Sequence, residues 1–199
     1  MSGNDTRLTV GFERPTVVRD LEPDDEAATL ALFDECRDWF EYATGQPSGP
    51  GDVQGLYYAL PEGCDVSQKR LLVAEVDGRI GALVDVVLSY PADDECTVGG
   101  FLVAPAYRRR RLGTALAEAL CEEAARRGIR RVHTTVTTGW HPRIQFLRHL
   151  GFAIDTAAVE QGGNRNTGPR ERPVHRAVLD LGRRTGSQPP PGHPAGSSE

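Results

Sequence analysis

Apolar residues recur along this chain with two periods, and the change from one to the other marks out the elements. Leu112, Leu116, Ala119, Leu120 and Ala124 return at steps of three and four, the stripe of an amphipathic helix. Arg126 and Arg127 fall in its last turn and Gly128 follows, which suits the negative end of the dipole and supplies a glycine stop. KRLLVAEV (69–76) and RIGALVDVVLSY (79–90), joined by Asp77-Gly78, predict a hairpin. ECTVGGFLVAP (95–105) predicts the next strand, its Gly99-Gly100 pair marking a bulge or a close approach by another backbone.

The remaining segments complete an alternating order. After a polar N-terminal arm (1–14), TVVRDL (16–21) reads as a short strand and DDEAATLALFDECRDWFEYA (24–43) as a helix opened by acidic residues. TGQPSGPG (44–51) reads as a loop and DVQGLYYAL (52–60) as a second helix. RRVHTTVTT (130–138) is a strand, and a helix with Pro142 in its first turn runs from His141 to Gly151. FAIDTAAV (152–159) and VHRAVLDL (174–181) are two last strands around a polar, mobile loop. Residues 182–199, rich in proline, glycine and serine, predict a disordered tail. Residues 15–181 thus predict one α/β domain, a mixed central sheet flanked by helices.

Composition narrows the setting. With 39% hydrophobic and 26% charged residues the chain is ordinary for a globular protein. It has neither an apolar run of membrane-spanning length nor the basic start and apolar centre of a signal peptide, so a cytoplasmic protein with no membrane partner is expected. Cys36, Cys64, Cys96 and Cys121 are spread without a C-x-x-C pair, which predicts free, mostly buried thiols and no metal site. Charge is uneven: residues 1–68 carry 14 acidic and 4 basic side chains, residues 105–185 carry 7 acidic and 16 basic. One half invites a cation and the other an anion.

The sharpest conflict lies where the long helix begins. Its N-terminus is already positive, yet Arg108, Arg109, Arg110 and Arg111 crowd there. A phosphate or pyrophosphate on that turn resolves the conflict. The phosphate-loop pattern ending in Lys-Ser/Thr is absent, the only lysine, Lys69, lies elsewhere, and no G-x-G-x-x-G follows a strand. A nucleic-acid partner is not expected, since the run lacks interleaved aromatics and the chain is acidic overall.

Val103-Ala104-Pro105-Ala106-Tyr107-Arg108-Arg109-Arg110-Arg111-Leu112-Gly113 resembles the acetyl-CoA signature of the GNAT N-acetyltransferase superfamily, and Ile144 to Phe152 resembles its second conserved block, in the correct order. The resemblance covers about residues 15–181. It implies acetyl-CoA as cosubstrate, a pantetheine arm paired with the backbone of Phe101, Leu102 and Val103, and a pyrophosphate cradled by Arg109, Arg110, Arg111, Leu112, Gly113 and Thr114. It further implies that the side chains of Arg108 to Arg111 add charge, that the acceptor is a primary amine of a small molecule or peptide, and that the protein forms a homodimer. Arg111 stands where the family usually has its first glycine, which predicts a distorted loop.

Acetyl transfer to an amine needs a deprotonated amine, a stabilised oxyanion and a proton for the thiolate. The family's usual tyrosine acid is replaced by Leu147, one of its glutamate positions by Thr135, and a frequent asparagine by Trp140. Glu95, on the same pleat as Thr97 and Gly99, and His141, beside Trp140, are the candidate proton carriers. Trp39, Tyr42 and Tyr57, with Asp34, Glu35 and Asp38 nearby, are the candidate acceptor residues, since carboxylates and aromatics suit a cationic amine. A CoA-binding module without catalysis and an acyltransferase using another acyl thioester are the competing readings.

Overall fold

The computed structural model describes residues 7–43, 45–159 and 173–182. Eight strands form one sheet: β1 Leu8–Thr9, β2 Thr16–Asp20, β3 Lys69–Val76, β4 Arg79–Leu88, β5 Glu95–Val103, β6 Arg131–Thr137, β7 Ala153–Val159 and β8 Val174–Asp180. Their order is β1-β2-β3-β4-β5-β6-β8-β7, antiparallel except for the β5–β6 pair. The helices are α1 Glu26–Glu35, α2 Arg37–Ala43, α3 Asp52–Tyr58, α4 Leu112–Arg126 and α5 His141–His149. Mixed sheet and flanking helices are therefore as the periodicity predicts. The mobile loop and disordered tail expected of the chain fall largely outside the described residues.

Two details differ from the sequence reading. The N-terminal arm contributes an edge strand, because Val10 buries its side chain while Leu8 pairs opposite Val18. The helix expected over 24–43 is a 3₁₀ turn at Pro23–Asp25 followed by α1 and α2, broken at Cys36, whose backbone leaves helical geometry (ψ 34°). Cys36 is fully buried there with its thiol 3.5 Å from Val103 O.

Strand alternation divides the core in two. Leu72, Ala74, Ala82, Val84, Val86, Cys96, Val132 and Val136 face α4 and α5. Leu71, Val73, Leu83 and Leu102 face α1–α3 with Leu32, Phe33 and Phe40. By the same alternation Lys69 and Asp85, and also Glu95, Thr97, His133 and Thr135, lie on the α1–α3 side.

The sheet is interrupted at its centre. β5 and β6 pair only over Glu95–Arg131, Cys96–Val132, Thr97–His133 and Val98–Thr134. Beyond Val98 the two strands diverge, although both continue. At the same place β5 bulges against β4: Asp85 opposes Gly100 and Val86 opposes Val98, which leaves Gly99 unpaired.

Candidate active site

The gap between β5 and β6 exposes polar backbone. Ala104 donates its N–H to Gly81 O on β4 at 2.9 Å, so on alternation Phe101 and Val103 turn their N–H and C=O groups the other way, into the gap, whereas Leu102 faces β4. Val103 O accepts from Arg108 Nε at 2.7 Å and Phe101 O from Arg143 Nη1 at 3.2 Å. The N–H groups of Phe101 and Val103 remain directed at the gap.

Beyond the strand, Pro105–Tyr107 makes a 3₁₀ turn and leads to α4. Tyr107 is a packing anchor: its ring lies where a Cβ on Gly81 would sit, 2.9 Å away. Arg109 and Arg111 both adopt left-handed backbone, φ 59° and 71°. Arg111 is the N-cap of α4 and offers no side-chain cap, and the first intrahelical bond closes from Ala115 N–H to Arg111 O. The N–H groups of Leu112, Gly113 and Thr114 are therefore free of intrahelical acceptors. Alternation of left- and right-handed residues at a helix start turns successive N–H groups inward, an anion-binding concavity. The loop is thus not distorted by Arg111; the arginine takes the conformation that glycine would have taken, at a cost in strain.

The four arginines do different things. Arg108 turns inward and its guanidinium forks onto Asp38 of α2 (2.6 and 2.9 Å) as well as Val103 O. Its side chain is a strut between α2 and the loop, which corrects the expectation that it adds charge at the phosphate. Arg110 pairs with Glu13 at 2.8 Å. Arg109 and Arg111 are exposed and make no ion pair among the described residues. A polyphosphate therefore fits this turn through backbone N–H groups and two free guanidinium groups.

On the α1–α3 face, Glu95 is buried and held by Arg131 (2.8 Å) and His133 Nε2 (2.7 Å). Burial alone raises its carboxyl, but the Arg131 and His133 hydrogen bonds and charges win and hold it below the usual range. His133 was missed in the sequence because its link to Glu95 depends on the parallel β5–β6 register, which no local pattern announces. His141, the first residue of α5, is exposed.

Asp85 was also missed. It sits beside the bulge, where a Cβ on Gly99 would come within 3.1 Å of its Oδ2, and Lys69 Nζ lies 2.7 Å from its Oδ1. The pair is almost inaccessible, with 4% and 9% of the side chains exposed, and Lys69 also donates to Ala59 O at 2.6 Å. Burial pushes the Asp85 carboxyl up, and Lys69 offsets part of this. One lysine against 22 arginines was the available signal.

The three aromatic acceptor candidates are not gathered. Tyr42 stacks on Trp140 at 5.0 Å, at the start of α5. Trp39 packs edge-on against Phe40 at 5.0 Å. Tyr57 lines a separate depression with Leu21, Glu26 and Val53, and burial and then the charges of Asp25 and Glu26 raise its phenol. Tyr57 therefore packs beside the first turn of α1. Leu147 is core at 5% exposure and Thr135 is exposed. Arg143, on α5, reaches into the gap with its guanidinium 5.5 Å from the Trp140 ring centre, and burial lowers its pKa to about 10.

The sequence profile of the Acetyltransferase (GNAT) family matches residues 31–152. The chain belongs to the GNAT acetyltransferase family. Its fold is similar to that of a probable GNAT-family acetyltransferase from Chromobacterium violaceum, with a TM-score of 0.71 and 19% identity over 92% of this chain and 97% of that one. It is similar also to spermidine N-acetyltransferase from Vibrio cholerae, solved with CoA and spermine (TM-score 0.64, 15% identity, 84% and 96% covered). An acetyltransferase from Thermus thermophilus gives a TM-score of 0.63 at 18% identity, with 87% and 99% covered. No curated protein matches the chain. Acyltransferase chemistry follows from the family. Among the described residues no cluster fit to hold a metal ion is present, and no helix is long and apolar enough to cross a membrane.

Proposed function

We propose that this GNAT protein is a cytoplasmic N-acetyltransferase that moves the acetyl group of acetyl-CoA to the primary amine of a small molecule or peptide. One observation carries the reading: the unpaired edge of β5 runs straight into a helix start whose backbone and two free arginines suit a polyphosphate. That sequence of groups suits a ligand with an amide-bearing arm joined to phosphates. The Phe101 N–H, directed at the gap beside the bulge, is the donor for the oxyanion.

On the other face His133, oriented by Glu95, takes the proton of the incoming ammonium directly or through water. Glu95 is then a positioning carboxylate rather than the base itself. The thiolate leaves without a tyrosine acid, since Leu147 is core. Tyr42 and the acidic α1–α2 surface favour a cationic acceptor.

Calorimetric titration of acetyl-CoA tests the donor site. Binding in the micromolar range, about −8 kcal/mol, should weaken at least tenfold in an Arg109→Glu, Arg111→Glu variant; no binding by the native protein refutes the reading. CoA release on an amine panel then separates an enzyme from a CoA-holding module, and His133→Ala should flatten the pH profile of kcat without changing acetyl-CoA affinity.

A further inference from the structure

A cavity of about 300 Å³ lies between the sheet and α4. Phe101 and Thr134 of the diverging strands line its end nearest the gap, and it continues beneath α4 towards Arg70 and Arg127. α4 contributes the small Ala117, Cys121 and Ala124 beside Leu120, and the facing strands contribute Cys96, Val98 and Val132.

Its lining is mostly apolar, with polar groups at the two ends: Arg143 at the end nearest the gap donates to Phe101 O at 3.2 Å, and Arg70, Ser89, Asp93, Glu123 and Arg127 stand at the other. The Thr134 hydroxyl donates to Val98 O at 2.9 Å. The Cys96 thiol is pushed up to about 12 by burial and stays neutral. At the far end Arg127 is paired with Glu123, and Arg70 with Asp20. An apolar cavity of this kind holds water poorly and takes apolar guests, and its volume is in the range of ligand sites.

We propose that this cavity receives the acyl chain of the donor, so that the protein takes straight acyl-CoA thioesters longer than acetyl and binds them more tightly. At roughly 30 Å³ for a group the size of a water molecule or a methylene, the space has room for about ten such groups, enough for a chain of about eight carbons. The inference rests on the reading that the gap receives a CoA thioester. The transfer is otherwise the same: the C–N bond to the acceptor forms as the C–S bond breaks, and the proton lost by the amine balances the one gained by the thiolate.

The test is calorimetry of CoA, acetyl-CoA and octanoyl-CoA with the full chain and with Ala124→Leu and Cys121→Leu. Octanoyl-CoA should bind at least tenfold more tightly than acetyl-CoA, with a ceiling of about fourfold for each fully buried methylene. Each variant should remove most of that gain and keep CoA and acetyl-CoA within twofold of native, which also shows that the variant is folded. CoA binding with no gain from the octanoyl chain overturns the acyl cavity and leaves the donor site standing. Failure of all three compounds to bind overturns both.

Discussion

Arg111→Gly should make the protein more stable and its grip on CoA weaker, a combination that follows from one backbone angle. At φ 71° and ψ 1° an L-residue carries a left-handed cost of about 1–2 kcal/mol. Glycine escapes this but loses about 0.5–1 kcal/mol in chain entropy. The exposed guanidinium has no ion pair to lose, and its removal from the positive helix end returns about 0.3–1 kcal/mol. The net expectation is a gain of about 1 kcal/mol, or roughly 2–4 °C in Tm for a chain of this size. Arg111→Ala is the control, since it sheds the charge and keeps the strain. Urea unfolding without ligand should place the glycine variant about 0.5–1 kcal/mol above the alanine variant, at unchanged slope. Both variants should lose about tenfold in acetyl-CoA affinity, the scale of a charge-assisted contact near solvent. Equal stability of glycine and alanine would refute the strain argument, and unchanged affinity would remove the guanidinium from the cradle.

Lys69→Met should cost about 3–5 kcal/mol by leaving Asp85 as a buried, unpaired charge, and adding Asp85→Leu should restore most of it in the same unfolding assay. The single-variant deficit should shrink as pH falls, because the Asp85 carboxyl, already raised by burial, takes up a proton in the folded state first. Glu95 has the opposite sign. Its folded carboxyl is held below 4.5, so its stabilisation is present above that pH and is lost as pH drops through the lowered value; Glu95→Gln should flatten this part of the stability–pH curve. Gly81→Ala should push on the Tyr107 ring at 2.9 Å, destabilise by about 1–3 kcal/mol in thermal melts, and weaken acetyl-CoA binding by shifting the turn before α4.

Elements with a complete local signal were readable from the residues alone. The Leu112–Ala124 stripe, the Asp77-Gly78 hairpin and the double glycine of β5 each carry their own period or turn chemistry, and the structure has α4, β3–β4 and a bulge at Gly99. Cys36 carries no break signal in the sequence; where the helix parts, its thiol is buried against the Val103 carbonyl. What the residues could not announce were pairings set by register. Asp85 meets Lys69 only because β3 and β4 align Leu71 with Asp85, and His133 meets Glu95 only because two parallel strands start level. Arg108 was misread for a related reason, since its partner Asp38 is 70 positions away. A charge run shows the sum of its charges and hides which of them are already taken.

The divergence of β5 from β6 also has a mechanical side. Four facing residue pairs are the whole ladder between the β1–β5 half of the sheet and the β6–β8–β7 half. A strand edge lies inside the molecule, flanked by helices that keep other sheets from reaching it. On the proposed function, an extended amide chain seated there would act as a temporary strand and stitch the halves together. The donor is then part of the architecture as well as a reagent, and the amide protons of Phe101 and Val103 should exchange with solvent more slowly for as long as it stays bound.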